Sequence, residues 1–186
     1  MKTYKHTPYT IFFVLFLLVK ITFAQNQNRK ITADKANSTI TYEMRHPMHT
    51  WEGICKNVSA VIIYNDQKQA IEQVAAVARV DCFDSGNSNR DSHALEVTEA
   101  LKYPKISFTS TNIQQDQYGI NIEGNLNFHG ITKPVSFKAL KFSGGFFVVD
   151  GNFTVKLSDF NVERPSLFGI KTEDLMKISF KIAFKI

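Results

Sequence analysis

The chain of 186 residues carries 22 Lys and Arg against 17 Asp and Glu, two cysteines and 12% aromatic residues. This composition is typical of one globular domain with a single core, and it excludes a disordered tail protein, a disulfide-dense mini-protein and a multi-domain assembly. The net charge of +5 includes Lys2, Lys5 and Lys20, which all lie before residue 25. Without these three lysines the chain is nearly neutral and has no basic cluster, so we expect no nucleic-acid partner.

The segment from Met1 to Ala24 has the pattern of a cleavable secretion signal. Lys2 and Lys5 give a basic start, residues 11–19 are an uninterrupted apolar run, and Thr22-Phe23-Ala24 has small residues where a signal peptidase cleaves. A membrane anchor would need about 20 apolar residues, and no cysteine follows the run for a lipid anchor. We therefore predict cleavage after Ala24 and a mature chain that is periplasmic or secreted and does not span a membrane.

Alternation of apolar and polar residues dominates the mature chain, and this period of two is typical of strands with one face on a core. It is clearest in the last segment, where Met176, Ile178 and Phe180 alternate with polar residues. In chain order the pattern predicts about eight strands, at about 40–46, 53–64, 70–82, 105–113, 118–128, 133–143, 146–157 and 176–186. Turns are indicated at Asn65-Asp66, Asp116-Gln117, His129-Gly130 and Gly144-Gly145.

One helix is predicted between the strands, at about residues 88–102. Ser88 and Asp91 resemble a capping box, Ala94 and Val97 follow at helical spacing, and Pro104 prevents continuation. The expected fold is therefore mainly β, an eight-stranded antiparallel barrel with one inserted helix, because closure removes exposed strand edges. A barrel of eight strands is either filled by its own side chains or holds one small ligand.

The two cysteines, Cys55 and Cys82, lie on consecutive predicted strands whose turn falls near Gln67-Lys68. In such a hairpin they lie nearly opposite each other, and an exported compartment permits a disulfide. Two separate buried thiols remain the alternative, since a register shift of one residue would point the sulfurs to opposite faces.

The residues that suggest chemistry have simpler structural explanations. His46 and His49 could chelate a metal on a helix, but Pro47 separates them, so His46 is expected in the core or at a pocket rim. Arg90-Asp91 has the composition of a catalytic pair, yet helix capping with a neighbouring ion pair is favoured. No phosphate-binding loop, paired-carboxylate motif, nucleophile elbow or zinc signature is present. We expect no enzyme activity, metal or cofactor.

Four ordered clusters of residues resemble those of one known family. The clusters are Asn37-Ser38-Thr39-Ile40 with His46 and Trp51-Glu52-Gly53, then residues 83–93 continuing into 103–108, then residues 124–135, and finally Asp159-Phe160 with Arg164 and Phe168-Gly169-Ile170. At these positions the chain resembles the YceI-like proteins, which are bacterial periplasmic proteins with a lipocalin-like barrel that bind polyisoprenoids or similar amphiphiles. The resemblance covers about residues 31–186.

The resemblance implies that residues 25–186 form a non-enzymatic, lipid-binding β-barrel domain for transport, storage or sequestration. Its partner would be an isoprenoid or another long-chain amphiphilic lipid, such as a quinone or a fatty amide. The side chains expected to contact lipid are Tyr42, Met44, His46, Trp51, Phe108, Ile120, Ile122, Phe128, Phe153, Arg164, Phe168, Ile178 and Phe180. Arg90 and Asp91 are further candidates for the mouth.

Two other functions remain open at this point. The first is a structural or interaction module whose barrel is filled, and the second is an enzyme that acts on a bound lipid through His46 or Arg90-Asp91. The sequence does not fix the oligomeric state, and a homodimer stays among the alternatives.

Overall fold

The computed structural model of the protein describes residues 28–116, 119–143 and 147–185. The predicted secretion signal lies outside these residues, as do Gln117, Gly144 and Gly145 of two predicted turns. In the described part of the chain, the single α-helix is too short to cross a membrane.

The described chain forms twelve strands and one α-helix, α1 (Ser88–Val97). In chain order the strands are β1 (Asn28–Thr32), β2 (Thr39–His46), β3 (His49–Cys55), β4 (Ser59–Asn65), β5 (Ala70–Arg79), β6 (Lys105–Gln115), β7 (Ile120–Phe128), β8 (Ile131–Ser143), β9 (Phe147–Lys156), β10 (Ser166–Leu167), β11 (Ile170–Lys171) and β12 (Leu175–Phe184). Ten of them form one antiparallel sheet in the order β1-β4-β5-β6-β7-β8-β9-β12-β2-β3, while β10 and β11 form a separate small hairpin.

The main sheet has ten strands, so the predicted number of eight is wrong. Strand β1 was missed because only Ile31 is buried among its five residues, which leaves no alternation to detect. The predicted strand at 53–64 is two strands, because the chain leaves the sheet at residues 56–58 between β3 and β4. Strand β3 pairs with β2 through a tight turn between His46 and His49.

The predicted alternation of burial is confirmed most clearly in β7 and is less regular in β2 and β5. In β7, Ile120, Ile122 and Leu126 are buried, whereas Asn121 and Glu123 are exposed. An antiparallel strand with one face on the core and one in water has this pattern. Most of the apolar side chains of the sheet therefore lie on one face, although Leu140 of β8 and Leu175 of β12 are exposed.

The sheet curls around this apolar face into a half-barrel whose ends are tied by isolated contacts. Beyond β1, Ala33 forms a bridge to Phe184 of β12. On the other edge, Ile54 of β3 forms a bridge to Asp84, with backbone N–H···O=C distances of 2.9 and 3.1 Å. Because exposed edges promote association with other strands, each of these contacts helps to cover one edge of the sheet.

A disulfide between Cys55 and Cys82 reinforces the second of these contacts. The sulfurs are 2.00 Å apart and the Cα atoms 5.0 Å apart. The bond joins the end of β3 to the 3₁₀ turn Val80–Cys82 that follows β5, and it does not lie across one hairpin as expected. The hairpin around Gln67-Lys68 exists as β4 and β5, but Cys55 precedes it on a different strand.

The helix is shorter than predicted and begins with a different cap. It ends at Val97, five residues before the expected end at 102. The N-cap is Asn87, whose side-chain oxygen accepts a hydrogen bond from the Arg90 N–H, while Ser88 is the first helical residue. Glu99 has a φ of 45°, which a continuing right-handed helix does not allow.

Removal of the disulfide is expected to destabilise the fold. The bond closes a loop with a sequence separation of 27 residues, and the loss of such a constraint on the unfolded chain costs about 3 to 4 kcal/mol. We therefore expect Cys55→Ala/Cys82→Ala to have a free energy of unfolding lower by that amount in urea titrations. A reducing agent should shift the wild-type midpoint similarly and leave the double variant unchanged. Equal midpoints for oxidised wild type and variant would contradict this expectation.

Candidate functional site

The inward face of the sheet surrounds an apolar cavity of about 120 Å³, here called cavity 1. Every residue that lines it is apolar except Ser107. An engineered apolar cavity of about 150 Å³ in another protein stays free of water and binds benzene. Cavity 1 is close to that size and chemistry, so it suits a hydrocarbon group and gives water almost no hydrogen-bond partners.

Four phenylalanines on different strands form a connected aromatic cluster in this wall. Phe137 of β8 is central, with ring centroids 5.4 Å from Phe108, 5.0 Å from Phe153 and 5.2 Å from Phe180. All four point inward, yet they are only partly buried. Inward aromatic rings in a filled barrel would be fully buried, so their remaining exposure shows that the described interior contains free space.

Glycines on neighbouring strands lie directly beneath aromatic rings of the wall. Gly53 is the cross-strand partner of Tyr42, and a Cβ atom at Gly53 would overlap the tyrosine ring. Gly151 is opposite Phe180, where a Cβ atom would lie 2.7 Å from Cζ of the phenylalanine. Each ring therefore rests on the backbone of the facing strand, which keeps it close to the sheet and leaves the middle of the interior open.

A second cavity of about 170 Å³, cavity 2, lies beneath helix α1. Its walls come from α1 and from strands β2 and β3, and they include Asp81, Arg90, Asp91 and His93. The two cavities adjoin, because five residues line both of them: Phe83, Ile106, Phe128, Met176 and Ile178. The charged groups thus gather at one cavity, while the other is almost wholly apolar.

Arg90 and Trp51 form the polar edge of cavity 2. The guanidinium carbon of Arg90 lies 5.1 Å from the centre of the Trp51 ring, a distance at which a cation is attracted to an aromatic face. The carboxylate of Asp91 is occupied instead by Ser85, whose hydroxyl donates to it at 2.6 Å and whose backbone N–H donates at 3.2 Å. None of the described carboxylates forms an ion pair with Arg90, so its charge is available to a ligand.

The pKa of Tyr42 indicates that this wall is poorly hydrated. Burial is the main cause that raises the pKa of Tyr42 above its ordinary value, and the charge of Asp91 adds to the rise, while Trp51 and Arg90 oppose it. Burial raises the pKa because a phenolate loses hydration when it is taken out of water. A ligand that enters cavity 2 therefore passes from a charged rim to a poorly hydrated interior.

Comparison with known proteins identifies the family that shares this architecture. A family model described as YceI-like domain matches residues 31–184. The chain belongs to the YceI-like family. Protein YceI of Escherichia coli is 25% identical over 146 residues, which span 72% of this chain and 75% of that protein. A UPF0312 protein of Yersinia enterocolitica is 27% identical over 145 residues, covering 72% and 74% of the two chains.

Solved structures share the fold of this YceI-like chain. BcnA of Burkholderia cenocepacia superposes with a TM-score of 0.73 at 23% identity, over 81% of this chain and 98% of that one. A polyisoprenoid binding domain from Saccharophagus degradans, implicated in plant cell wall breakdown, gives a TM-score of 0.65 at 12% identity, over 83% and 97%. The resemblance drawn from the sequence is thereby confirmed at the level of family and fold.

Most of the predicted contact residues of this YceI-like chain lie on the cavity walls. Cavity 1 is lined by Phe108, Ile122, Phe153 and Phe180, cavity 2 by Tyr42, Met44, Trp51, Arg90 and Asp91, and both by Phe128 and Ile178. The sequence reasoning missed Phe137, although the alternation of Val135, Phe137 and Ala139 along β8 could have placed it on the inward face.

Four predicted residues are not part of either cavity wall. Ile120 is buried in the packed core, with 2% of its surface exposed. Arg164 donates a hydrogen bond to the Thr172 carbonyl, and Phe168 is 85% exposed at the tip of the β10–β11 hairpin. His46 is buried beside that hairpin. For Ile120, alternation indicates the face of the strand and does not indicate the depth along it. His46 ends a strand, and Arg164 and Phe168 lie outside strands, so no periodicity indicated whether these three reach a cavity.

Both ring nitrogens of His46 are used by the main chain. Nδ1 accepts a hydrogen bond from the Met48 N–H at 3.3 Å, so Nε2 carries the proton and donates to the Ile170 carbonyl at 3.1 Å. The His49 ring lies 5.6 Å from the His46 ring and 5.1 Å from Trp51. Among the residues that the structure describes, no group of three or more His, Cys, Asp or Glu side chains is arranged to hold a metal.

The pairing of Gly53 with Tyr42 can be tested by adding one methyl group. We expect Gly53→Ala to lower the free energy of unfolding by about 1 to 3 kcal/mol, because the tyrosine ring must leave its place on the β3 backbone. In a Tyr42→Ala background the ring is absent, and the same glycine substitution should cost clearly less. Urea titrations of the four proteins of this cycle measure the difference. Equal costs in both backgrounds would show that the ring does not depend on Gly53.

Proposed function

We propose that the protein is an exported, non-enzymatic carrier that holds an isoprenoid lipid or a similar long-chain amphiphile in its two cavities, for transport, storage or sequestration. The observation that carries the proposal is the open, almost wholly apolar cavity 1 joined along its wall to a charged-rim cavity 2. A structural relative is itself described as a polyisoprenoid binding domain. An amphiphile has an apolar chain, which suits cavity 1, and a polar head, which suits the charged rim of cavity 2.

The apolar chain would extend from cavity 1 into cavity 2, because cavity 1 alone has room for a group of about the size of benzene. Each methylene taken from water contributes roughly 0.8 kcal/mol, so a segment of about ten carbons supplies several kcal/mol before the cost of ordering the chain. The wall offers few polar groups that could distinguish one hydrocarbon from another. We therefore expect affinity to depend mainly on chain length, with related lipids tolerated.

The polar head would lie at the edge of cavity 2. Arg90 offers a guanidinium whose donors suit a phosphate, a carboxylate or a carbonyl oxygen. Stacking on Trp51 holds the guanidinium at the rim, and the ring itself suits a boundary between apolar and wet regions. Asp91 supports this arrangement by holding Ser85 in the loop that precedes the helix.

The contacts at the rim favour binding over catalysis. Asp91 is engaged by Ser85, and Arg90 stacks on Trp51 and is not paired with Asp91. His46 has both ring nitrogens engaged and is not part of either cavity wall. A general base needs a free, suitably positioned nitrogen or carboxylate near the reacting atom, and these three groups have other partners.

Export is proposed from two features that agree with each other. The segment from Met1 to Ala24 has the pattern of a cleavable signal, and Cys55 and Cys82 form a disulfide. Disulfides persist in oxidising compartments such as the periplasm and the extracellular space.

Filling cavity 1 should block the apolar chain. Ala76 lines cavity 1, whereas Ala75, one residue earlier on β5, is not part of its wall. We expect Ala76→Phe to lower the affinity for a fluorescent geranylgeranyl probe by about 10- to 100-fold, since each displaced methylene removes roughly 0.8 kcal/mol. Ala75→Phe places the same ring on the other face of the strand and should bind the probe as wild type does.

Urea titration of both variants checks that the fold is kept. Mass spectrometry of organic extracts from the native protein should in addition find a long-chain lipid in wild type and much less of it in Ala76→Phe. Extracts free of lipid, together with no uptake of the probe by wild type, would refute the carrier function and leave the module with a filled barrel.

The role of Arg90 predicts a dependence on headgroup charge. Arg90→Gln should weaken binding of a prenyl phosphate by about 10- to 100-fold, because a hydrogen bond to a charged group contributes roughly 1.5 to 3 kcal/mol, and should weaken binding of the matching neutral prenol much less. Lys105→Gln removes a charge from an exposed position outside both walls and serves as the control. Equal losses for the two lipids would show that Arg90 supports the fold of the rim and does not bind the head.

A further inference from the structure

A short hairpin beside cavity 2 exposes an unusual set of apolar side chains. Strands β10 and β11 pair Leu167 with Ile170, and the two residues between them, Phe168 and Gly169, form the turn. Leu167 is 41% exposed, Phe168 85% and Ile170 47%. Single exposed apolar residues are ordinary on protein surfaces, but a cluster marks an interaction site.

The residue at the tip of this turn is not explained by folding. Phe168 and Gly169 have φ angles of 52° and 76°, and two-residue turns with two positive φ angles strongly favour Asn, Asp or Gly. A bulky side chain in the left-handed region is strained, and an exposed phenyl ring gains little packing in return. Strain that local folding does not require points to a function of the side chain.

The hairpin is fixed at its base. The Thr172 N–H donates to the Pro165 carbonyl at 2.9 Å, and the Glu173 N–H donates to the Arg45 carbonyl of β2 at 2.8 Å. The tip therefore projects from a base that is bonded to the wall of the half-barrel.

A second turn adds to the same surface. His46 bonds through one ring nitrogen to Ile170 and through the other to Met48, which is 64% exposed in the turn between β2 and β3. The imidazole thus links the two turns. We call the four exposed side chains that they carry, Met48, Leu167, Phe168 and Ile170, the tip patch.

The tip patch is continuous with the rim of cavity 2. Pro165, the residue before β10, lines that cavity. Met44 also lines it and lies two residues before His46 on β2. The exposed apolar residues therefore begin where the cavity wall ends, on both sides of the contact made by His46.

We propose that the tip patch docks on the surface of a lipid bilayer, so that cavity 2 opens toward the membrane from which the protein takes its lipid. This inference rests on the proposed carrier function. The bilayer and the cavity both bury the hydrocarbon chain, whereas passage through water would expose it. Contact between the rim and the membrane would reduce the length of hydrocarbon chain that meets water during transfer.

The size and charge of the patch favour a bilayer over a protein partner. Four side chains are too few for a standard protein interface, which buries about 800 Å² on each partner. Insertion into the headgroup boundary needs only a small apolar surface that reaches about 5 to 10 Å deep. The charges beside the patch include the pair of Arg45 and Glu173, 3.6 Å apart, and the exposed Lys171 of β11. One further lysine adds little attraction to an anionic surface compared with four inserted apolar side chains, so we expect apolar insertion to dominate and salt to have only a small effect.

The test compares Phe168→Asn with Leu140→Thr in flotation with vesicles of equimolar phosphatidylethanolamine and phosphatidylglycerol. Asparagine tolerates the left-handed turn, so Phe168→Asn should keep the hairpin. We expect its partition into vesicles to fall about tenfold, which corresponds to the burial of one large apolar side chain. Leu140→Thr removes an apolar side chain that is 55% exposed on β8, outside the patch, and should partition as wild type does at low and at high salt.

No binding of wild type to vesicles, or equal binding by wild type and Phe168→Asn, would overturn the proposal. A stable complex with another protein that is lost in Phe168→Asn, in place of vesicle binding, would likewise assign the patch to a protein partner. Binding of the geranylgeranyl probe in the absence of vesicles is measured in parallel and should be equal in wild type and Phe168→Asn. Failure of wild type to bind this probe refutes the carrier function, whereas a defect confined to vesicles concerns docking alone.

Discussion

The apolar face of the ten-stranded sheet must be removed from water, and it packs against itself because the sheet curls. The curled ends are held by the bridges of Ala33 to Phe184 and of Ile54 to Asp84, by the Asp34 N–H that donates to the Ala183 carbonyl, and by the disulfide between Cys55 and Cys82. The helix α1 covers part of the remaining opening above cavity 2. Every other feature of the site depends on this curvature, because it sets how far apart the inward side chains stand and how much space they leave.

The interior keeps free space because glycines stand opposite some of its aromatic rings. Aromatic rings such as Tyr42 and Phe180 rest on the backbones of Gly53 and Gly151 and do not extend across the interior. A side chain on either glycine would push its ring inward and reduce the cavity. This pairing of a ring with a glycine explains why these large residues stabilise the sheet by cross-strand contact and still leave room for a hydrocarbon chain.

The rim of cavity 2 carries charged side chains, whereas the wall of cavity 1 consists almost wholly of apolar side chains. Arg90, Trp51 and Asp91 form a polar edge whose contacts hold them in place, while Phe168 is held at a turn that would accept a smaller polar residue more readily. Burial explains the wall residues, whereas it explains neither the charged side chains at the rim nor Phe168 on the adjacent tip patch. The proposed carrier function and the proposed docking surface both follow from this difference, and together they describe a route from a membrane through cavity 2 to cavity 1.

The sequence by itself determined most of the strands, the position of the helix, the inward face of β7 and β12, and the family, because these depend on periodicity and on short local motifs. It did not determine that residues 53–64 are two strands, that Asn87 caps the helix, or that Cys55 and Cys82 join β3 to the turn after β5. Nor could it separate Phe108 on the cavity wall from Ile120 in the packed core or Phe168 in solvent. Local pattern fixes which face a side chain takes, whereas depth, open space and exposure depend on how the distant strands curl and which backbones they place opposite each other.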